Sequence, residues 1–200
     1  MNTLKRLHEK YAICLNSIRH FDGLAPLLLR LYLAPIMIQA GWNKLANFES
    51  TVAWFANPDW GLGLPLPHLM AALAGGAEFF GGILLVIGLA VRWVSIPLMI
   101  TMLVAAVTVH WDYGWLAISD ASSWLANDRV LAATEQLQRG REILRTHGHY
   151  SWLTQHGNWV ILNNGIEFAA TYFVMLLTLF FTGGGRYVSA DYWIRRKLTS

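Results

Sequence analysis

The chain has 200 residues, of which 55% are hydrophobic and only 14% are charged, well below the roughly 25% charge of a soluble domain. The formal net charge is +3 and is concentrated at a few short stretches, so it gives no basic stripe of the kind that follows a nucleic acid. A single cysteine, Cys14, excludes an internal disulfide, a self-contained thiol–disulfide oxidoreductase and a thiolate cluster for iron–sulfur or zinc.

Residues 1–22 are too polar for the core of a cleavable signal peptide. Leu4, Leu7, Tyr11, Cys14, Leu15 and Ile18 recur at three- and four-residue spacing, with Lys5, Arg6, Lys10 and Arg19 among them. That pattern predicts an amphipathic leader lying on an anionic membrane surface; a frayed polar leader is the alternative. Four long apolar windows follow, at about 24–46, 67–91, 94–111 and 159–182. Each is near the ~20 residues that cross ~30 Å of hydrocarbon as a helix, and lipid forces the backbone to satisfy its own hydrogen bonds within the segment.

Between the first two windows, "FANPDWGLGLPLP" (55–67) is built from turn residues and tryptophan and predicts an ordered interfacial loop. Residues 112–158 form a long insert. Its 128–145 stretch holds good helix formers, with Val130, Leu137 and Leu144 at seven-residue spacing and Asn127 or Asp128 placed as cap. Residues 194–200 make a short basic tail. The expectation is an all-α integral membrane protein: one compact four-helix transmembrane bundle over 24–193, with a helical extracytoplasmic insert between spans three and four.

Orientation follows from lysine and arginine near the span ends. The leader, Arg92 in the turn between spans two and three, and the tail with Arg186, Arg195, Arg196 and Lys197 are basic, whereas residues 47–66 contain no Lys or Arg. Both termini are therefore expected on the cytoplasmic side of a bacterial inner membrane. Seven of the ten tryptophans, at 54, 60, 111, 115, 124, 152 and 159, then fall on the outer side, as an interfacial aromatic belt.

An ionisable residue at bilayer depth costs about 2.5–3.5 kcal/mol on insertion scales and marks a functional site by default. Arg30, Glu78 and Glu167 are the clear cases, and Lys44 lies near the outer end of span one. At 1.5 Å per residue, the two glutamates fall in nearly one layer, with Arg30 a few ångströms away. Arg30 shares a stripe with Ala34, Met37, Gly41 and Lys44; Glu78 shares one with Ala71, Gly75 and Gly82; Glu167 shares one with Asn163, Asn164 and Thr171. Small residues on such stripes let helices approach closely.

The expected site is therefore an Arg30–Glu78 ion pair with Glu167 nearby, in a pocket lined by Asn163, Asn164 and Thr171. One excess acid suits a proton acceptor beside a quinone headgroup. The alternatives are a purely structural role, buried charges locking the helix register, and transport. Lys44, read as snorkelling toward the outer headgroups, and His110, beside Trp111 at the outer end of span three, complete the candidate pocket. His147 and His149 could ligate a metal if joined by others; they are read as surface histidines, and no metal ligands are assigned. No HExxH, phosphate-cradling loop, Rossmann fingerprint or nucleophile elbow is present.

Three stretches resemble one family. "LLLRLYLAPIMIQAGWNKL" is similar to the opening of DoxX-family membrane proteins through Arg30, Gly41 and Lys44-Leu45. "GAEFFGGILLVIGLAVRW" resembles the second span through Glu78, Gly81, Gly82, Gly88 and Arg92. "GGGRYVSADYWI" resembles the closing Gly-rich turn and Ser-x-Asp, here Gly183–Gly185, Ser189 and Asp191. The insert, with "FESTVAWFANPDWGLGLP" and "ILNNGIEFAATYFVML", resembles the HvfX-type branch, encoded with copper-responsive metal-binding peptides and their maturation enzymes.

The resemblance implies a four-helix inner-membrane protein serving as an accessory redox subunit that interacts with the quinone pool. It would hold no covalently bound cofactor and would work with a partner redox protein or maturation enzyme, in contact with membrane lipid and open to homo-oligomerisation. The alternatives are a non-enzymatic membrane anchor or assembly factor, and a small-molecule or metal transporter.

Overall fold

The computed structural model describes residues 19–199, the side chain of His20 excepted, together with His8 and Tyr11; the amphipathic leader expected over 1–23 lies almost wholly outside the described residues. All regular structure among them is helical. After a 3-10 turn at Arg19–Phe21 come α1 (Leu24–Ala46), α2 (Phe48–Ala56), α3 (Pro67–Ile87) and α4 (Val91–Ala105). Helix α4 runs on through a π turn (Ala106–His110) and a 3-10 turn (Trp111–Tyr113). Then follow α5 (Asp128–His147), the single turn α6 (Tyr150–Leu153), α7 (Glu167–Thr182) and α8 (Ala190–Thr199). Three stretches, Leu24–Ala46, Pro67–Ile87 and Val91–Tyr113, are long and apolar enough to cross a bilayer. Helix α7 is apolar but shorter, at 16 residues.

The chain divides into two compact units, one of residues 1–101 with 173–200 and one of residues 102–172. In the first unit α1 and α3 form the most extensive pairing, and glycine is the reason they can. A Cβ on Gly41 would run into the backbone of Phe79 and Gly75, and one on Gly82 into Ile38 and the Ala34 carbonyl. Backbones this close gain dispersion contact, which holds helices together where lipid is as apolar as leucine. Helix α2, just ahead of the expected loop, packs Val52 and Phe55 against Ala71 of α3.

Helix α3 ends at Gly88, in the left-handed conformation at φ 73°, the usual stop for a helix. Helix α4 begins three residues later, and its start is capped from far along the chain. The Asp191 carboxylate accepts from the Ala90 amide at 2.7 Å and the Val91 amide at 2.9 Å, while the Asp191 amide donates to the Gly88 carbonyl at 3.0 Å. These bonds tie the start of α8 to the α3–α4 turn.

In the second unit, α5 is capped by Asn127, whose side chain accepts from the Val130 amide at 3.0 Å. Of the seven-residue series, Val130 alone is fully buried. The apolar window 159–182 is helical only from Glu167. Upstream of it the backbone amides are engaged elsewhere: Asn163 and Asn164 donate to Ala117, Gly165 to Leu116, Ile166 to Gly114 and Glu167 to Trp115, all at 2.9–3.0 Å. Ser119 donates to Ile161, and Ile118 bridges Leu162. Residues 161–167 are thus laid against 114–119, which removes the amides a helix would need.

Candidate functional site

The candidate residues fall into three sets. In the first, Lys44 Nζ lies 2.5 Å from Glu78 Oε2. Glu78 is 4% exposed and lies 11 residues, or about 16 Å, along α3 from Pro67, near the middle of a helix of spanning length. Two geometric facts make the pair. A Cβ at Gly75 would sit 3.3 Å from that of Lys44, so Lys44 stands one turn from Glu78 on the facing helix, and its four-carbon stem covers the rest. Lys44 therefore turns inward to the buried carboxylate, not outward to headgroups. Trp42 and Phe79, near neighbours of the pair in sequence, pack with ring centroids 5.8 Å apart.

The second set centres on Arg30, and here the expected Arg30–Glu78 pair is corrected. Arg30 is fully buried, but its guanidinium donates to backbone carbonyls: Nη1 to Leu85 at 2.9 Å and Val86 at 3.3 Å, and Nη2 to Val188 at 2.8 Å. Leu85 and Val86 lie in the last turn of α3, where carbonyls have no intrahelical partner. Gly88 is needed here as well, because a Cβ would collide with Arg30 Nη1. Ser189, 3% exposed, closes the set by donating to the Gly185 carbonyl at 2.6 Å. Sequence reading noted Ser189 and Asp191 only as part of a motif and gave them no role. The signal available was their place beside a glycine-rich turn.

The third set lies in the second unit. Glu167 Oε2 accepts from the Ala117 amide at 2.9 Å, so Glu167 serves the loop pairing of its own unit. Asn163 is 2% exposed and its amide is fully employed: Nδ2 donates to Tyr113 at 2.8 Å and Leu116 at 2.7 Å, and Oδ1 accepts from Arg129 Nε at 3.2 Å. Arg129 also stacks its guanidinium over Tyr113 at 4.4 Å. Asn164 adopts φ 61°, tolerated best by asparagine among non-glycines. Its carbonyl accepts from His110 Nδ1 at 2.6 Å. Thr171 turns its hydroxyl back to the Glu167 carbonyl. Outside the apolar helices, Asp120 is held below the usual carboxylate range by hydrogen bonds from the Ser122 hydroxyl and amide, so it stays an anion near neutral pH.

A saturated, buried Asn163 is a clasp. Asn163→Ala is expected to cost about 1–3 kcal/mol, the penalty for stranding buried partners. Amide hydrogen exchange should accelerate at residues 114–119 and 163–167 while α1 and α3 keep their protection; unchanged exchange at 114–119 would contradict the clasp. Among the described residues, no three His, Cys, Asp or Glu side chains gather as metal ligands.

Charged and polar side chains are buried here while Leu28, Phe80 and Trp93 stand exposed at 57%, 61% and 76%. With three helices of spanning length, that inversion defines a helical integral membrane protein, whose exposed apolar faces meet lipid. The DoxX family model matches residues 25–111, the stretch that carries Arg30, Lys44, Glu78 and His110. Over 105 residues the chain is 35% identical to Inner membrane protein YphA of Escherichia coli (strain K12), covering 49% of this chain and 72% of YphA. Over 83 residues it is 32% identical to "Putative oxidoreductase CatD" of Bacillus subtilis (strain 168), covering 42% of this chain and 58% of CatD. No solved structure matches. The chain belongs to the DoxX family.

Proposed function

We propose that this chain is an accessory subunit of the bacterial inner membrane that exchanges electrons with the quinone pool on behalf of a partner redox protein. In this reading α7 serves as the fourth span, both termini are cytoplasmic and residues 112–158 form the outer insert. The insert's likeness to the HvfX-type branch favours a partner from a copper-linked peptide maturation system. The word oxidoreductase in the name of CatD supports the redox part.

The observation that carries the reading is the Lys44–Glu78 pair. A carboxylate near mid-span is costly unless it has work or a partner, and Glu78 is buried there with the Lys44 ammonium against one of its oxygens. A quinone bound there would supply two-electron, two-proton chemistry. The residues present suit such a ring: an ammonium that can donate and a carboxylate that can hold a proton. Lys44 also fixes the carboxylate in place, so that proton exchange at Glu78 needs no rearrangement of the helices.

The test is quinone extracted per chain from purified wild type, Glu78→Gln, Lys44→Met and Glu167→Gln. The reading expects near-stoichiometric quinone in wild type and in Glu167→Gln, and its loss in the folded fraction of Glu78→Gln and Lys44→Met, each of which also destabilises by breaking a buried pair. Loss in Glu167→Gln alone would move the site to the second unit. No quinone in any of the four would leave a non-enzymatic anchor or assembly role.

A further inference from the structure

The first unit holds a cleft of about 560 Å³ that the preceding reading does not use. Its floor is the Gly183–Gly185 turn, and Arg92, Arg186 and Arg195 stand around it with Asp22 and Asp191. The charges do not cancel within the cleft. Both carboxylate oxygens of Asp191 already receive the Ala90 and Val91 amides. Asp22 meets Arg186 at 3.5 Å. Arg92 and Arg195 are exposed and enter no ion pair among the described residues.

The turn itself offers donors. Gly183 and Gly185 have φ 76° and 91°, and the amides of Gly184, Gly185 and Arg186 donate to no described group. Successive free amides in a turn make an anion-binding concavity. Glycine at 183 also leaves room for Arg92, whose Nε would lie 3.3 Å from a Cβ there.

A second hollow begins where this one ends. Ala25 lines the cleft and also an apolar groove of about 690 Å³, bounded by Leu28, Leu29, Leu31, Tyr32 and Met175. A cationic, amide-rich cleft joined to an apolar groove matches a molecule with a phosphate at one end and a hydrocarbon chain at the other. We propose that this bipartite hollow is a specific site for an anionic phospholipid, with its phosphate on Arg92, Arg195 and the Gly183–Gly185 turn and an acyl chain along the Leu28 face of α1. Basic pockets at the ends of spanning helices recognise headgroups in this way.

The test is native mass spectrometry of the full chain purified in neutral detergent. Phosphatidylglycerol, phosphatidylcholine with the same acyl chains, or inorganic phosphate is added separately. Wild type is expected to retain phosphatidylglycerol about tenfold better than phosphatidylcholine, and Arg92→Gln/Arg195→Gln to lose that preference, as expected for two cations near a lipid phosphate. Leu28→Trp, which fills the groove from an exposed position, should lower retention of phosphatidylglycerol and leave the cleft arginines intact. Equal retention of the two lipids, or a preference that survives the double arginine variant, would overturn the proposal. Displacement of lipid by millimolar phosphate with no effect of Leu28→Trp would overturn the lipid and leave a free phosphate site.

Discussion

Arg30→Met is expected to destabilise the protein by about 3 kcal/mol or more, in the range for removing one partner from a buried charged network. The side chain is 0% exposed and donates to three carbonyls on two separate chain segments. Methionine fills much of the volume but strands the buried Leu85 carbonyl and takes the donor from the part-buried Val86 and Val188 carbonyls. Arg30→Lys should recover only part of the loss, because one ammonium cannot reproduce a planar fork of donors. The measurement is thermal unfolding in detergent, followed by helicity and by monodispersity. A melting temperature for Arg30→Met within a degree or two of wild type would contradict the bridging role.

Gly41→Ile is expected to be nearly as damaging, at the upper end of the ~1–3 kcal/mol range for overpacked cores. A Cβ there would meet the Phe79 amide and the Gly75 carbonyl, which are backbone and cannot swing aside. Helices α1 and α3 must separate, and Lys44 and Glu78 separate with them. Gly76→Ala is the matched control, since a Cβ at Gly76 meets nothing within 4 Å; its stability should stay level or rise slightly. Equal losses in the two variants would mean that glycine flexibility, and not close approach, governs this helix pair. Under the quinone reading, Gly41→Ile should also empty the site in whatever folded protein remains.

Much of the frame was legible in composition. The windows at 24–46 and 67–91 needed only length and hydropathy, and the glycine stripes on Gly41, Gly75 and Gly82 announced a close helix pair. The charge pairing was misread because depth counted from window ends ignores where two helices touch. Arg30 and Lys44 are 14 residues apart on one helix, about 21 Å along its axis, so Glu78 can meet only one of them. Contact of Gly41 with Gly75 and Phe79 selects Lys44. Arg30 then falls beside Leu85 and Val86, and its partners are carbonyls, which no reading of side-chain types reveals. The stretch before Glu167 was misread for a different reason. Its apolar composition suits a span, but Gly165 sits where a Cβ would strike the Leu116 and Gly114 carbonyls, and backbone pairing of that kind leaves no periodic trace.

The tie between Arg30, the α3–α4 turn and residues 188–191 has a bearing on biosynthesis. Arg30 is made early and two of its acceptors follow within the next two helices, but the Val188 carbonyl lies 158 residues downstream. The cap on α4 likewise comes from a residue about 100 positions later. While translation proceeds, the nascent chain therefore carries an arginine with an unfilled donor and a helix start with bare amides. Both are satisfied in one late step, when the Ser189–Asp191 segment emerges and docks. A chain that stops before this point keeps the Arg30 donor and the first amides of α4 without their partners.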